Sequence, residues 1–341
     1  MFARVVTIFL ALLVAACGDH DARAPFTDSR IPPSLAAADW PPEGWTWGLV
    51  RSGDAPPQRY GMAGPDAVPR GQTLILPGYG EAAEDYYRLA RALTARGYVV
   101  WVLDGAGQGG SGRISGTRDL GHLDDFEGDI ANIGAMIDKA LPSDTPGPVI
   151  LVASSSAGDL ALRRLQRGAN VTGLVLLAPT RRAPTTGANL PTRNNVLWAR
   201  RLLLGRLRAH GQAGWSSVGP HREPGLAPQT YQAWRQANPD LRMGGPSYDW
   251  LAAFEDLQAQ VNRDGLGGVR APSLILGSTD SPKTDSDLRD RLCRGLPRCF
   301  QRAFSGQDDA DRQIVSFVET LTVQGLVTPG AHSLPKARAG D

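Results

Sequence analysis

Short apolar runs alternating with amphipathic stretches constrain this chain more than any other feature. Residues 72–76 (QTLIL), 98–103 (YVVWVL), 148–153 (PVILVA) and 171–178 (VTGLVLLA) are largely apolar and bounded by Pro, Gly or Asp. A strand wet on one face alternates apolar and polar side chains, whereas runs this continuous are covered on both faces, as in a parallel sheet. Between them, residues 84–96 place Tyr86, Leu89, Ala90 and Leu93 at helical spacing before Gly97. Residues 126–141 carry Ile130, Ile133, Ile137 and Leu141 on one stripe, and residues 157–166 form a third helical segment. This order predicts an α/β fold, a mostly parallel central sheet with helices on both faces.

The alternation stops after Pro179 and resumes with a strand at 272–276, a helix at 288–292, a strand at 299–304 and a helix at 312–321. The intervening stretch holds Trp198, Trp215, Trp234 and Trp250 among helical patches without strands. It reads as an inserted helical cap, with the tryptophans forming the cap's own small core. The chain then divides into 1–16 (leader), 17–45 (tether), 46–179 (first part of the core), 180–267 (cap), 268–324 (second part of the core) and 325–341 (tail).

Composition excludes several classes. With 42% apolar residues the chain has ample material for a core, so it is neither disordered nor collagen-like. Its 36 basic and 34 acidic residues nearly cancel without a basic stripe, which excludes a typical nucleic-acid binder. The Gly-rich stretch 105–112 lacks the Lys-Ser/Thr of a phosphate loop. Cys293 and Cys299, without histidines nearby, fall short of a zinc ligand set, so no metal or other cofactor is expected.

The amino end reads as a targeting segment. One Arg in the first four residues precedes the apolar run 5–14 and then Ala15-Ala16-Cys17. A run of ten is too short to span a bilayer. Small residues before a cysteine resemble a bacterial lipobox, in which the chain is cut before the Cys and that Cys is acylated. Cys17 would then hold the protein on a membrane of the cell envelope, facing the periplasm or exterior. In such an oxidising compartment, Cys293 and Cys299 are candidates for a short disulfide loop.

Candidate chemistry lies where the strands end, as it does in open α/β sheets. After PVILVA comes Ala153-Ser154-Ser155-Ser156-Ala157-Gly158 and then a helix. A nucleophile elbow needs small residues two before and two after the serine, and Ser155 has Ala153 and Ala157. Ser156, between Ser154 and Gly158, is the second choice. The amides of Ser156 and Tyr79 are placed to form an oxyanion hole. Asp280, four residues past the strand PSLIL, is the candidate triad acid.

Pro77-Gly78-Tyr79-Gly80-Glu81, then Tyr86, Leu89, Ala90 and Leu93, then Gly97-Tyr98-Val99-Val100, then Asp104, Gly107, Gly109 and Ser111 follow one another in fixed order. This order resembles the monoacylglycerol lipase and lysophospholipase group of α/β-hydrolases, also described as serine aminopeptidase-like. The resemblance extends through Gly121-His122, Phe126 and Asp129 and through the cap residues Tyr231, Trp234, Asn238-Pro239 and Trp250. It implies a serine hydrolase acting on a lipid-like carboxylic ester, or an aminopeptidase of the same group. Two departures matter. Alanines replace both elbow glycines, and the loop after the last strand (Phe304-Ser305-Gly306-Gln307) holds no histidine where the family carries its base. Of the remaining histidines, His210, His221 and His332 are candidates for that role. With none of them serving, the chain is a degenerate hydrolase that binds lipid or a partner.

Overall fold

The computed structural model describes residues 23–140, 147–184, 186, 190–217, 226–280 and 283–327, without the side chains of 139–140, 283–284 and 325–327. Cys17, the leader, His221, His332 and the tail beyond 327 lie outside the described residues.

Eight strands form one sheet among the described residues: β1 (Thr46–Val50), β2 (Gln58–Ala63), β3 (Gly71–Leu76), β4 (Tyr98–Leu103), β5 (Val149–Ser154), β6 (Gly173–Leu177), β7 (Ser273–Ser278) and β8 (Cys299–Phe304). Their spatial order is β1-β2-β4-β3-β5-β6-β7-β8. The pairs β1–β2 and β2–β4 are antiparallel, and every later pair is parallel. The predicted mostly parallel sheet is therefore present, extended at one edge by β1 and β2, which the sequence did not suggest.

Strands β3 to β7 are buried on both faces: Leu74, Ile75, Val100, Ile150, Val152, Leu174, Val175 and Ile275 are essentially inaccessible, whereas the edge strand β8 is largely exposed. One face is covered by α1 (Tyr87–Thr94) and, at the chain's other end, a long helix that packs Ile314 and Val318 against Leu89 and Leu93. The other is covered by α2 (Glu127–Ala135), α3 (Ala157–Gln166) and a helix later in the chain, through Ile130, Ile133, Leu162, Leu288 and Leu292. The cap contributes α4 (Arg193–Arg201), α5 (Pro228–Ala237) and α6 (Tyr248–Asp264). The later helices on the two faces are α7 (Lys283–Gly295) and α8 (Gln307–Val327), longer than the segments 288–292 and 312–321. Among the described residues no helix is long and apolar enough to cross a membrane.

Two expectations need correction. The cap's tryptophans do not make a core of their own. Trp234 is fully buried against Tyr87 of the body, with ring centroids 5.5 Å apart. Trp250 packs on Tyr79 (4.7 Å) and Phe126 (5.7 Å), while Trp198 is exposed. These indoles seat the cap on the sheet because the body offers the larger apolar surface.

Nor do residues 23–42 hang free as a tether. The Phe26 amide donates to the Gly110 carbonyl at 3.0 Å, Arg30 exchanges two hydrogen bonds with the Asn238 side chain, and the Ser29 hydroxyl reaches Glu84. Arg91 then grips the Trp40 and Pro41 carbonyls at 3.1 Å. Lack of periodicity made this stretch read as a linker, but an irregular chain can dock through its backbone groups. Cys293, near the end of α7, and Cys299, opening β8, are joined by a disulfide.

Candidate active site

β5 delivers Ser154 and Ser155 to the end of the sheet, and α3 begins two residues later at Ala157. Ser155 takes φ +49°, in the left-handed region that side chains other than glycine avoid. Its strain is held by a 2.8 Å hydrogen bond from its amide to the Leu177 carbonyl of β6 and a 3.3 Å bond from Gly158 N–H to its own carbonyl. A Cβ at Gly78 would sit 2.9 Å from Ser155 Cβ and 3.0 Å from the Ser154 carbonyl oxygen, so only glycine lets this loop close on the turn. Ser154 is fully buried, while Ser155 and Ser156 each keep a small exposed edge.

The loop after β3 carries Tyr79 to the same place. Its amide donates to Ser156 Oγ at 2.9 Å, its hydroxyl donates to the Gly244 carbonyl at 2.8 Å, and burial pushes its phenol well above the ordinary range. The loop is fastened by Glu81, whose role the sequence reading missed. Glu81 Oε2 accepts from the Gly78 amide at 2.6 Å and from the Tyr86 hydroxyl, and Oε1 accepts from Ser154 Oγ at 3.1 Å. No described cation pairs with it, and burial pushes its carboxyl up to about 7 against the pull of those donors. Gln108 accepts from the Gly80 amide at 3.0 Å, and Arg235 of α5 donates to the Gly80 carbonyl at 2.7 Å while forming a buried pair with Asp85. The loop after β3, the turn after β5 and the cap are thus one hydrogen-bonded unit.

A cavity of about 20 Å³ lies between Gly78, Tyr79, Ser156, Phe126, Trp250 and Phe254, room for about one water. On the other side of the turn a gap of about 10 Å³ touches Ser155, Asp159, Arg181 and Leu288. Arg181 there donates to both Asp159 oxygens at 2.8–3.2 Å, and Arg182 holds Asp285 at 2.8 Å.

The proposed acid and base are not assembled among the described residues. Asp280 is exposed, and its amide donates to Ser278 Oγ at 3.2 Å. In the loop after β8, where a histidine was expected, Gln307 accepts from the Ala227 amide of the cap at 2.9 Å. His210 is exposed, with its backbone amide on the Tyr248 hydroxyl at 3.0 Å. His122 is buried, 3.0 Å from Ser247 Oγ. Donor atoms of His122, Asp124 and Asp249 lie within 4.8 Å of one another, but Arg200 holds Asp249 at 2.9 Å and neutralises it.

Residues 67–304 match the family described as serine aminopeptidase, S33. Lysophospholipase L2 of Escherichia coli strain K12 is 26% identical over 246 residues, which cover 64% of this chain and 66% of that relative, just under two thirds. A soluble variant of monoglyceride lipase from Saccharomyces cerevisiae superposes with a TM-score of 0.61 at 14% identity, over 85% of this chain and 99% of the other. The monoacylglycerol lipase of Paleococcus ferrophilus gives 0.56 at 19% identity, over 77% and 99%. At such identities the two structures speak to the fold. With 67–304 matched and the eight-stranded sheet in place, the chain belongs to the serine aminopeptidase S33 family of α/β-hydrolases.

Proposed function

We propose that this protein is a serine hydrolase of lipid-like carboxylic esters, of lysophospholipase or monoacylglycerol lipase type, held on an envelope membrane through acylated Cys17. The observation that carries the reading is the left-handed Ser155 at the tip of β5, with Gly78 pressed against it and the Tyr79 amide at its neighbour. Lysophospholipase L2 of Escherichia coli, 26% identical over 246 residues, supports the substrate type. The leader's order of charge, apolar run and Ala-Ala-Cys supports the anchor.

In this mechanism Ser155 Oγ loses its proton to a base and attacks the ester carbonyl carbon. The oxyanion forms within reach of the Tyr79 and Ser156 amides, and the alcohol leaves with the proton. Water then releases the acid. The base is one of His210, His221 and His332, oriented by Asp280. The cavity of about 20 Å³ requires the cap to move before an acyl chain enters.

A second reading has its own observation. Among the described residues Ser155 Oγ has no hydrogen-bonding partner, and the oxyanion amide is already occupied by Ser156. A serine without a base is a poor nucleophile at neutral pH. The chain would then be a lipid- or partner-binding member of the fold.

Labelling by a fluorophosphonate, which reacts with activated serines, separates the two. Hydrolase function predicts labelling that Ser155→Ala abolishes and that one of His210→Ala, His221→Ala and His332→Ala also abolishes. Folded protein that stays unlabelled overturns the hydrolase reading.

A further inference from the structure

Tyr79 meets the elbow and the cap at once. Its amide donates to Ser156 Oγ at 2.9 Å, while its hydroxyl donates at 2.8 Å to the carbonyl of Gly244, 165 positions away in the cap. Its ring stands edge-on to Trp250 of α6, with centroids 4.7 Å apart. Phe126 and Phe254 belong to the same cluster without a hydroxyl, so packing alone does not account for a tyrosine here. Burial holds the phenol protonated, and a buried donor needs an acceptor, which Gly244 supplies.

Glycines make the slot for that phenol. A Cβ at Gly121 would fall 2.1 Å from the Tyr79 hydroxyl oxygen, and one at Gly244 would meet Arg208 Nη1 at 2.6 Å and Asp119 Oδ2 at 2.7 Å. Without those side chains the two backbones lie side by side. Gly244 N–H donates to the Asp119 carbonyl at 2.6 Å, Ser247 N–H donates to the Gly121 carbonyl at 2.9 Å, and Gly121 bridges Pro246 in parallel. The carbonyl that receives the phenol is therefore placed by a seam between cap and body. Asp119 and Arg208 extend this seam outward. Asp119 accepts from Arg208 Nη2 at 2.6 Å and from the Trp215 amide at 2.5 Å, and Arg208 also reaches the Gly245 carbonyl at 2.7 Å.

The peptide joining Gly78 to Tyr79 is held from behind, because the Glu81 amide donates to the Gly78 carbonyl at 3.2 Å. A peptide group is planar, so fixing that carbonyl and the Tyr79 side chain aims the Tyr79 N–H at the turn after β5. Between Gly78 and Gly80, the latter at φ +78°, the same peptide would otherwise turn easily.

We infer that the Tyr79 phenol is a positioning group for the reaction. Seated on Gly244, it aims its own backbone amide at the oxyanion, so the donor is in place only while residues 243–247 of the cap lie on 119–121. Opening the seam swings the amide away, and closing it over a substrate restores the aim. The catalytic role rests on the hydrolase reading above, whereas the mechanical link between seam and amide does not.

Hydrogen–deuterium exchange of the full-length protein, read by mass spectrometry, tests that link without any turnover. Tyr79→Phe keeps the ring and loses the hydroxyl. It should speed exchange about fivefold or more in peptides covering 77–80 and 243–247. Arg208→Ala loosens the seam from the cap's side and should speed exchange at 77–80 as well, because coupling between two places is reciprocal. The Cys293→Ser, Cys299→Ser variant, altered at the β8 edge of the sheet, should leave 77–80 at the parent's rate and so controls for general loosening. In hydrolysis of p-nitrophenyl butyrate, Tyr79→Phe should lower kcat about tenfold, part of the loss that removing an oxyanion donor brings, with KM within about twofold of the parent. Exchange at 77–80 that neither Tyr79→Phe nor Arg208→Ala changes overturns the inference. So does faster exchange with kcat intact, which would make the phenol a purely structural strut. A parent that hydrolyses no ester overturns the catalytic role together with the hydrolase reading, while exchange still decides the link between seam and amide.

Discussion

The backbone amide of Tyr79 donates its hydrogen bond to the hydroxyl of Ser156, 2.9 Å away. In the mechanism proposed above both residues belong to the oxyanion hole, so an incoming carbonyl oxygen must displace that hydroxyl before it can use the Tyr79 amide. A hydrogen bond of this kind contributes on the order of 1 kcal/mol net, which corresponds to about fivefold in rate. Ser156→Ala is therefore expected to raise the second-order rate of fluorophosphonate labelling about fivefold, measured as loss of free probe against time. A fall instead would show that the hydroxyl itself assists the oxyanion.

Glu81 makes stability depend on pH. Its folded carboxyl titrates near 7, above the ordinary 4.5, so between those values the native state holds a proton that the unfolded chain has lost. Stability thus falls as pH rises from about 4.5 to 7, by about 3 kcal/mol from this group. Asp129, pushed up to about 6 by burial, acts in the same direction. Glu81→Gln keeps an acceptor for Gly78 and Tyr86 and can donate to the Ser154 hydroxyl. Urea denaturation at pH 5 and pH 7.5 should show a smaller difference in the variant than in the parent.

Arg235 reaches Asp85 with two hydrogen bonds of 2.7 Å, both side chains essentially inaccessible. Removing one partner leaves the other charge buried and unpaired, which typically costs 3–5 kcal/mol. Asp85→Ala should lower the unfolding free energy by about 3 kcal/mol or more and loosen the cap, detectable as faster proteolysis within residues 226–247.

The Cys293–Cys299 bridge closes a loop with a sequence separation of 6. Chain-entropy arguments assign so short a loop a contribution of about 2 kcal/mol. A Cys293→Ser, Cys299→Ser double variant should unfold at correspondingly lower urea, and a reducing agent should shift the parent but not the variant.

Much of the fold was legible because β3 to β7 are largely apolar runs that could be covered only from both sides. β1 and β2 were not, for a physical reason. Gly48 lies under the Tyr60 ring and Gly61 under Trp45, where an added Cβ would come within 2.0–2.4 Å of the rings. Glycines that make room for aromatics erase the alternation by which an edge strand is recognised. Gln58 and Arg59 add to this, since their burial depends on Asp104, Glu84 and Asn132, all distant in sequence.

The elbow was readable from Ala153, Ala157 and the serines between them, because small residues at those offsets are a local requirement. The bond from Tyr79 to Ser156 and the arginine clamps on Asp159 and Asp285 were not. They depend on which side chains meet across the sheet's end, and no short-range pattern encodes that.

The strap of residues 23–42 has a consequence for the order of events during synthesis. Its partners stand at Glu84, Gly110 and Asn238, the last 208 positions downstream of Arg30. The first part of the body to leave the ribosome can therefore settle only after most of the cap has followed it. Until then the buried guanidinium of Arg59 and the carboxyl of Glu84 lack the cover that the strap supplies. Maturation of this molecule is closed by its beginning, and a chain shortened before Arg30 would complete its sheet yet leave that seam open.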